Sequence, residues 1–119
     1  MALWLGASPL AAEVYEFPAP GVEADQLRIY STLDAPLAGP LIEGFQAAHP
    51  QTRVIYEELL SGEVTARIVE ETDKGEATAD FAFSSAMDAQ VKLANDGYAM
   101  ALHLAGSATW PRWANWRDM

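Results

Sequence analysis

The sequence predicts an α/β fold, a three-layer α-β-α sheet built from βαβαβα units and mainly parallel. Three strand-type segments alternate with three segments of helical periodicity. The connections between them are short, which favours right-handed crossovers and helices on both faces of the sheet. Each predicted strand is followed closely by hydroxyl side chains. We therefore expect any ligand site at the carboxyl ends of the strands.

The clearest strand–turn–helix unit lies within residues 79–98. Its strand is the short apolar run Phe81–Phe83, which is typical of a buried strand. Residues 87–94 then carry apolar side chains at the spacing of one helix face. Ser85 is predicted to cap this helix, with an acidic residue three positions later. Gly97 is predicted to end it in the left-handed conformation.

The first unit begins with a predicted strand at residues 27–32, where apolar and polar residues alternate before two hydroxyls. Asp34 is predicted to precede the following helix as its cap. Pro40 costs about 3 kcal/mol inside a helix. The regular helix is therefore expected to start near Gly39, and it should end before Pro50.

The second unit follows the same plan. Residues 53–59 form its predicted strand, and Ser61 is predicted to cap a helix over residues 62–74. Gly75 supplies the expected stop for that helix.

The chain is expected to have three parts. Residues 1–12 are apolar and resemble a truncated secretory signal peptide, although no basic residue precedes them; the alternative is an ordinary N-terminal segment. Residues 13–26 carry prolines and a glycine among acidic residues, which predicts a linker. Residues 27–119 contain the three units and are predicted to form one folded part.

Composition excludes several classes of function. The net charge is −10, with 17 acidic and 7 basic residues, which argues against nucleic acid or an anionic membrane as partner. Cysteine is absent, so disulfides and thiolate chemistry are excluded. His49 and His103 each lack a pattern of metal or catalytic partners, and the adjacent acids Glu57 and Glu58 are predicted to be solvated. We predict no catalytic residue, no cofactor and no metal.

The predicted ligand site consists of strand-end residues that offer hydroxyls or backbone N–H groups beside helix N-termini: Ser31, Thr32, Ser61, Ser84, Ser85 and Ala86. Such groups suit a carboxylate, a phosphate or another oxyanion. The alternative is that these residues are ordinary caps, because serine and threonine are preferred at helix starts. Ala86 is included for its backbone N–H.

Two runs of sequence carry a resemblance to a known family. They are F-x-x-x-HP-x-x-x-V from Phe45 to Val54 and AD-x-x-x-SSAMD-x-QVKL-x-NDGYA from Ala79 to Ala99. With them the chain resembles the extracellular solute-binding proteins of ABC transporters, and among these the ferric-ion-binding-like branch with the type II periplasmic-binding fold. The resemblance implies two lobes that close on a solute and deliver it to a membrane permease. It also implies a location in the periplasm or at the cell surface.

On this resemblance, residues 27–119 correspond to a partial N-terminal lobe, and the second lobe is missing from these 119 residues. A solute-binding site would then be only half present, so the chain alone is expected to bind solute weakly. In iron-binding members, tyrosines of the second lobe and often a histidine after the first strand hold the metal. Residues 31–34 read Ser-Thr-Leu-Asp, so the resemblance does not imply iron.

The resemblance assigns solute contacts to the strand-end residues Ser31, Thr32, Ser84, Ser85 and Ala86. The function predicted is noncatalytic binding of a small solute, anionic or bearing an oxyanion, for an ABC importer. Two alternatives stay open. One is a periplasmic sensor that reports its ligand state to a receptor kinase. The other is a small serine-dependent α/β enzyme, which would need a base near Ser84 or Ser85.

Overall fold

A computed structural model describes residues 13–114 of the 119-residue chain. Residues 1–12, predicted as a possible truncated signal peptide, lie outside the residues that the structure describes, as do the last five residues. The elements, in chain order, are β1 (Glu13–Phe17), β2 (Asp25–Ser31), α1 (Ala35–Ala48), β3 (Thr52–Glu58), α2 (Ser61–Asp73), β4 (Phe81–Phe83) and α3 (Met87–Asn95), followed by two short 3-10 turns. Within the described range, no helix has the length and apolar character needed to span a membrane.

The four strands form one sheet in the order β1-β3-β2-β4. Strand β2 runs parallel to both of its neighbours, whereas β1 runs antiparallel to β3. The last residue of β2, Ser31, is paired with Glu58 on one side and with Phe83 on the other. The ends of β2, β3 and β4 therefore meet at one side of the sheet, called here the carboxyl edge.

Helices cover both faces of the sheet, so the predicted three-layer α/β fold is confirmed. On one face, α2 and α3 enclose a core of Tyr30, Leu59, Val64, Ile68 and Leu93. On the other face, α1 encloses a core of Ala35, Ala38, Ile42, Val54 and Tyr56. Two cores form because successive side chains of a strand point to opposite faces: Tyr30 faces α2, and its neighbour Ile29 faces α1.

The prediction of a linker over residues 13–26 is wrong at both ends, since Glu13–Phe17 forms strand β1 and strand β2 begins at Asp25. Tyr15 and Phe17 alternate with exposed neighbours and pack against the α1-side core. Burial of these two aromatic rings and pairing with β3 outweigh the local turn signals. Residues 18–24 contain no regular element.

Helix α1 begins at Ala35 and runs through Pro40, so the expected start near Gly39 is wrong. Proline removes one backbone N–H and crowds the preceding turn. The helix persists because residues on both sides of the proline are buried, Ile42 among them. Asp34 is the N-cap residue, but its side chain makes no capping hydrogen bond.

The two predicted serine caps are each displaced by one residue. Leu60 is the N-cap of α2, and Ser61 is the first helical residue. The Leu60 amide donates to the Glu63 carboxylate at 3.2 Å, so an acidic side chain satisfies the N-cap backbone N–H at the N-terminus of α2. Ala86, rather than Ser85, is the N-cap of α3.

The predicted glycine stops are confirmed. Gly75 follows α2 with φ of 71°, and Gly97 follows α3 with φ of 88°. After α2, the Glu76 amide donates to the Glu71 carbonyl at 2.8 Å, which closes the helix end in a Schellman motif. Both helices thus turn back toward the sheet at a residue that tolerates the left-handed conformation.

Candidate functional site

The ends of β2 and β4 are joined by hydrogen bonds that place four predicted site residues together. The Thr32 amide donates to the Phe83 carbonyl at 3.2 Å, and the Ser85 amide approaches Thr32 Oγ1 at 3.5 Å. The Ala86 amide donates to Ser84 Oγ at 3.1 Å. The backbone N–H that made Ala86 a candidate is therefore engaged within the chain, and a bound oxyanion would have to replace Ser84 there.

Ser31 has no solvent exposure, unlike the other predicted site residues. Its Oγ accepts the Leu33 amide at 3.0 Å, which fixes the turn after β2. Its hydroxyl also bonds with that of Tyr56, which donates to the Leu33 carbonyl. Burial raises the pKa of Tyr56, and the bond with Ser31 acts in the opposite direction. Ser31 thus positions the turn, and its contact with a solute stays a prediction that requires this turn to open.

Ser61 stands exposed at the start of α2, behind the end of β3. No hydrogen bond joins it to the other five predicted residues anywhere in residues 13–114. The end of β3 is held to β2 because the Leu59 amide donates to the Ser31 carbonyl at 2.8 Å. The first turn of a helix leaves backbone N–H groups without intrahelical acceptors, and in α2 these belong to Ser61 and Gly62. This part of the site offers a second, separate set of donors.

The carboxyl edge carries negative side-chain charge that was not predicted from the sequence. Glu58 ends β3, and its Oε2 accepts the Ala35 amide at 3.1 Å, so it satisfies a backbone donor at the start of α1. Asp34 precedes the same helix. The short segments between strand and helix contain no lysine or arginine. The position of Glu58 at the end of a strand could have indicated this role. The adjacent acidic residue instead favoured the prediction that both side chains are solvated.

Glu57 also departs from the prediction of solvated acids. It is buried, and its carboxylate binds Arg67 at 3.1 Å on the α2 face of the sheet. Its side chain points to the face opposite that of Tyr56, away from the turn that Ser31 fixes. Glu57 therefore belongs to the core of the fold.

Within residues 13–114, no hydrogen bond joins either histidine to the predicted serines. His49 stacks on Phe45, with ring centres 4.7 Å apart, at the end of α1. The 14 residues of α1 separate it from the carboxyl edge by about 21 Å. In the described part of the chain, His103 makes no hydrogen bond with Ser84 or Ser85. Across residues 13–114, no group of three or more histidine, aspartate or glutamate side chains is arranged to hold a metal ion.

The fold is that of a periplasmic-binding-protein lobe. A similar solved structure is the substrate-binding protein of the ABC transporter from Agrobacterium tumefaciens, which is 61% identical to this chain with a TM-score of 0.86. The match covers 92% of this chain and 33% of that one. The predicted resemblance to the solute-binding proteins of ABC transporters is confirmed by this similarity.

The chain spans about a third of the length of the Agrobacterium protein. A scan against protein-family models and a search of curated proteins each gave no match.

Proposed function

We propose that this chain supplies one side of the solute site in a substrate-binding protein that serves an ABC importer. The observation that carries this proposal is the 61% identity to the Agrobacterium substrate-binding protein, together with the shared fold. The protein would bind a small solute without changing it chemically and deliver it to a membrane permease. It would act in the periplasm or at the cell surface, and a second lobe of the same full-length chain would close the site.

We further propose that the solute carries an oxyanion, such as a carboxylate or a phosphate. The hydroxyls of Thr32 and Ser84 lie within hydrogen-bonding distance of backbone amides just before α3, beside Ser85, where the helix dipole favours negative charge. The free N–H groups in the first turn of α2, beside Ser61, would serve a second polar group of the solute.

A second class of solute is favoured by the charges of the carboxyl edge. Asp34 and Glu58 are close in the structure to the start of α1, and no basic residue follows any of the three parallel strands. Such a site would suit an amine or a polyhydroxyl solute, because carboxylates accept hydrogen bonds from both. The two classes differ in charge and can be separated experimentally.

The test is a chimera in which this chain replaces the matching third of the Agrobacterium protein. Its thermal stability is measured with matched panels of carboxylates, phosphate esters, amines and polyols, since a ligand of the folded state raises the melting temperature. The proposal expects stabilisation by a member of the first two panels. Stabilisation by amines or polyols alone would favour the second class.

Hydroxyl deletions locate the bound group. Thr32→Val and Ser84→Ala should weaken binding by about tenfold each, the usual loss for a hydrogen bond to a charged group. The matched controls are Thr72→Val, in the last turn of α2, and Ser107→Ala, in the 3-10 turn that follows α3. Equal effects of site and control variants would contradict the proposed site, and no binding in any panel would contradict the proposed function.

A further inference from the structure

The turn between β2 and α1 carries Thr32, the residue of the candidate site that links β2 to β4. Its amide donates to the Phe83 carbonyl at 3.2 Å, and its Oγ1 lies 3.5 Å from the Ser85 amide. Thr32 Oγ1 is the acceptor in that contact, which does not consume its hydroxyl proton. The direction in which Thr32 can donate this proton therefore depends on the shape of the turn.

Three hydrogen bonds close a ring beneath this turn. The Leu33 amide donates to Ser31 Oγ at 3.0 Å, and the Tyr56 hydroxyl donates to the Leu33 carbonyl. The bond between the hydroxyls of Ser31 and Tyr56 acts to lower the pKa of Tyr56, as a bond that the phenol oxygen accepts does. Ser31 is therefore the donor in this bond. Each of the three residues donates once and accepts once, and we call the arrangement the hydrogen-bond ring.

The hydrogen-bond ring is enclosed by the protein. Ser31 has no solvent exposure, and Tyr56 is only 2% exposed. Linked hydrogen bonds strengthen one another in such surroundings. A serine hydroxyl has a single proton, and that of Ser31 is given to Tyr56, so Ser31 can donate to a solute only if the ring breaks. At the end of β2, Thr32 is therefore the hydroxyl that can donate while the turn keeps its shape.

Strand β3 also holds the far end of the turn. Glu58 follows Tyr56 by two positions, so both side chains leave the same face of β3. The Ala35 amide donates to Glu58 Oε2 at 3.1 Å. The turn is thus fastened to β3 at Leu33 and at Ala35, on either side of Asp34, whose own side chain makes no capping hydrogen bond. A neighbouring strand sets the shape of this turn.

We infer that Tyr56 is a positioning residue of the solute site, which holds the turn in the shape that directs Thr32 toward the start of α3 and so sets solute affinity without touching the solute. The inference rests on the proposed function, because it concerns the same site. A purely structural role of the ring would make Tyr56 equivalent to Tyr30. That residue is equally buried, but it faces α2, where its hydroxyl bonds with Arg67 and Glu71.

The test compares Tyr56→Phe with Tyr30→Phe in the 119-residue chain. Each variant removes one buried phenol hydroxyl and keeps the aromatic side chain. Hydrogen exchange followed by NMR first reports on the turn without any ligand. In Tyr56→Phe, exchange of the Leu33 and Ala35 amides should accelerate at least about fivefold relative to that of the β3 amides, because the turn opens locally. Tyr30→Phe should leave this ratio unchanged, since it destabilises the opposite face of the sheet.

Inorganic phosphate is the probe of binding, and it is titrated while the NMR signals of the Thr32 and Ser85 amides are followed. Tyr56→Phe should weaken phosphate binding by about fivefold, the scale of one hydrogen bond, and Tyr30→Phe by less than about twofold. The double variant Thr32→Val/Tyr56→Phe shows whether Tyr56 acts through Thr32. It should bind phosphate no more weakly than Thr32→Val alone, to within about twofold.

Three results would overturn the inference. They are equal exchange ratios in Tyr56→Phe and Tyr30→Phe, equal losses of phosphate affinity in these two variants, and additive losses in the double variant. Failure of the parent chain to bind phosphate would instead count against the proposed oxyanion solute. The exchange ratios, which involve no ligand, would then decide whether Tyr56 holds the turn.

Discussion

The guanidinium carbon of Arg67 lies 4.4 Å from the centre of the Tyr30 ring, between helix α2 and the sheet. The same guanidinium binds Glu57 at 3.1 Å and approaches Glu71 at 3.6 Å. The Tyr30 hydroxyl accepts from Arg67 at 3.0 Å and donates to Glu71 at 2.9 Å. Burial alone would lower the pKa of Arg67, but the hydrogen bond with Glu57 and the nearby negative groups raise it above its ordinary value. One cation thus pairs with two carboxylates that are largely enclosed by the protein.

Replacing Arg67 should destabilise the fold more than loss of an exposed ion pair does. Arg67→Met keeps much of the apolar stem but leaves Glu57 buried without its cation. We expect the free energy of unfolding to fall by about 2 kcal/mol, the scale of a hydrogen bond to a charged group. Urea unfolding followed by circular dichroism measures it. Lys74→Met, which breaks the exposed pair with Glu70, is the control and should cost less than about 1 kcal/mol. Equal losses would show that burial of Glu57 is unimportant.

Stability should decline in alkaline solution. Burial raises the pKa of Tyr30 above its ordinary 10.0, with the hydrogen bond to Glu71 adding to it, and burial likewise raises the pKa of Tyr56. The folded state therefore holds these protons more tightly than the unfolded state does. Their stabilising contribution is complete below about pH 10 and is lost as the pH rises through the raised folded-state values.

The measurement is the urea midpoint at a series of pH values from neutrality to above about pH 10. The contribution of these tyrosines to the midpoint should stay constant at the lower pH values. It should then fall as the pH rises through their folded-state pKa values. The Tyr30→Phe and Tyr56→Phe variants should each show a shallower fall, because one coupled proton is removed. A fall of unchanged steepness in both variants would assign alkaline sensitivity to other groups.

Strands β2, β3 and β4 could be predicted because each has a local signature. The expected bounds of 27–32, 53–59 and 81–83 lie within two residues of the observed strands. Strand β1 lacked such support, since its pairing partner β3 lies some 40 residues further along the chain. The period-2 spacing of Tyr15 and Phe17 was a signal, but the following prolines and glycine outweighed it.

The strand-end rule predicted which residues would lie near one another, but not the structural role of each residue. It brought Thr32, Ser84 and Ser85 together, as the hydrogen bonds between β2 and β4 now show. Ser31 hydrogen-bonds with Tyr56 of a neighbouring strand, and Glu58 accepts a backbone amide at the start of α1. Both are tertiary contacts that no local pattern encodes.

Glycine positions should respond to alanine in opposite directions. Gly75 has a φ of 71°, so Gly75→Ala forces a side chain into the left-handed region and should lower the free energy of unfolding by about 1 kcal/mol. Gly44 lies exposed inside α1, and an added Cβ there meets no atom within 4 Å apart from its neighbours in the helix. Gly44→Ala should therefore raise the free energy of unfolding by about 0.5–1 kcal/mol. Thermal unfolding of the parent chain and the two variants measures the direction of each change in stability. A change in the same direction for both variants would contradict this interpretation.

The buried side chain of Gln46 ties α1 to the strand that the sequence did not reveal. Its Nε2 lies 2.9 Å from the carbonyl oxygen of Phe17 and 3.2 Å from that of Pro18, at the end of β1. It also lies 3.1 Å from the carbonyl oxygen of Thr52, at the start of β3. The amide therefore anchors β1 to its partner strand and to the helix above it.

Gln46→Leu keeps a similar volume and removes the donors, so buried carbonyls lose their partner. We expect the free energy of unfolding to fall by about 2 kcal/mol, the desolvation cost of unsatisfied polar groups. Hydrogen exchange should identify the place of the loss, with the amides of Glu13–Phe17 exchanging faster relative to those of β2. Gln51→Leu is the matched control, because Gln51 is exposed and accepts hydrogen bonds through its backbone carbonyl, which the variant keeps. Uniformly faster exchange throughout the sheet would mean that Gln46 supports the whole fold; a change confined to β1 establishes it as the anchor of that strand.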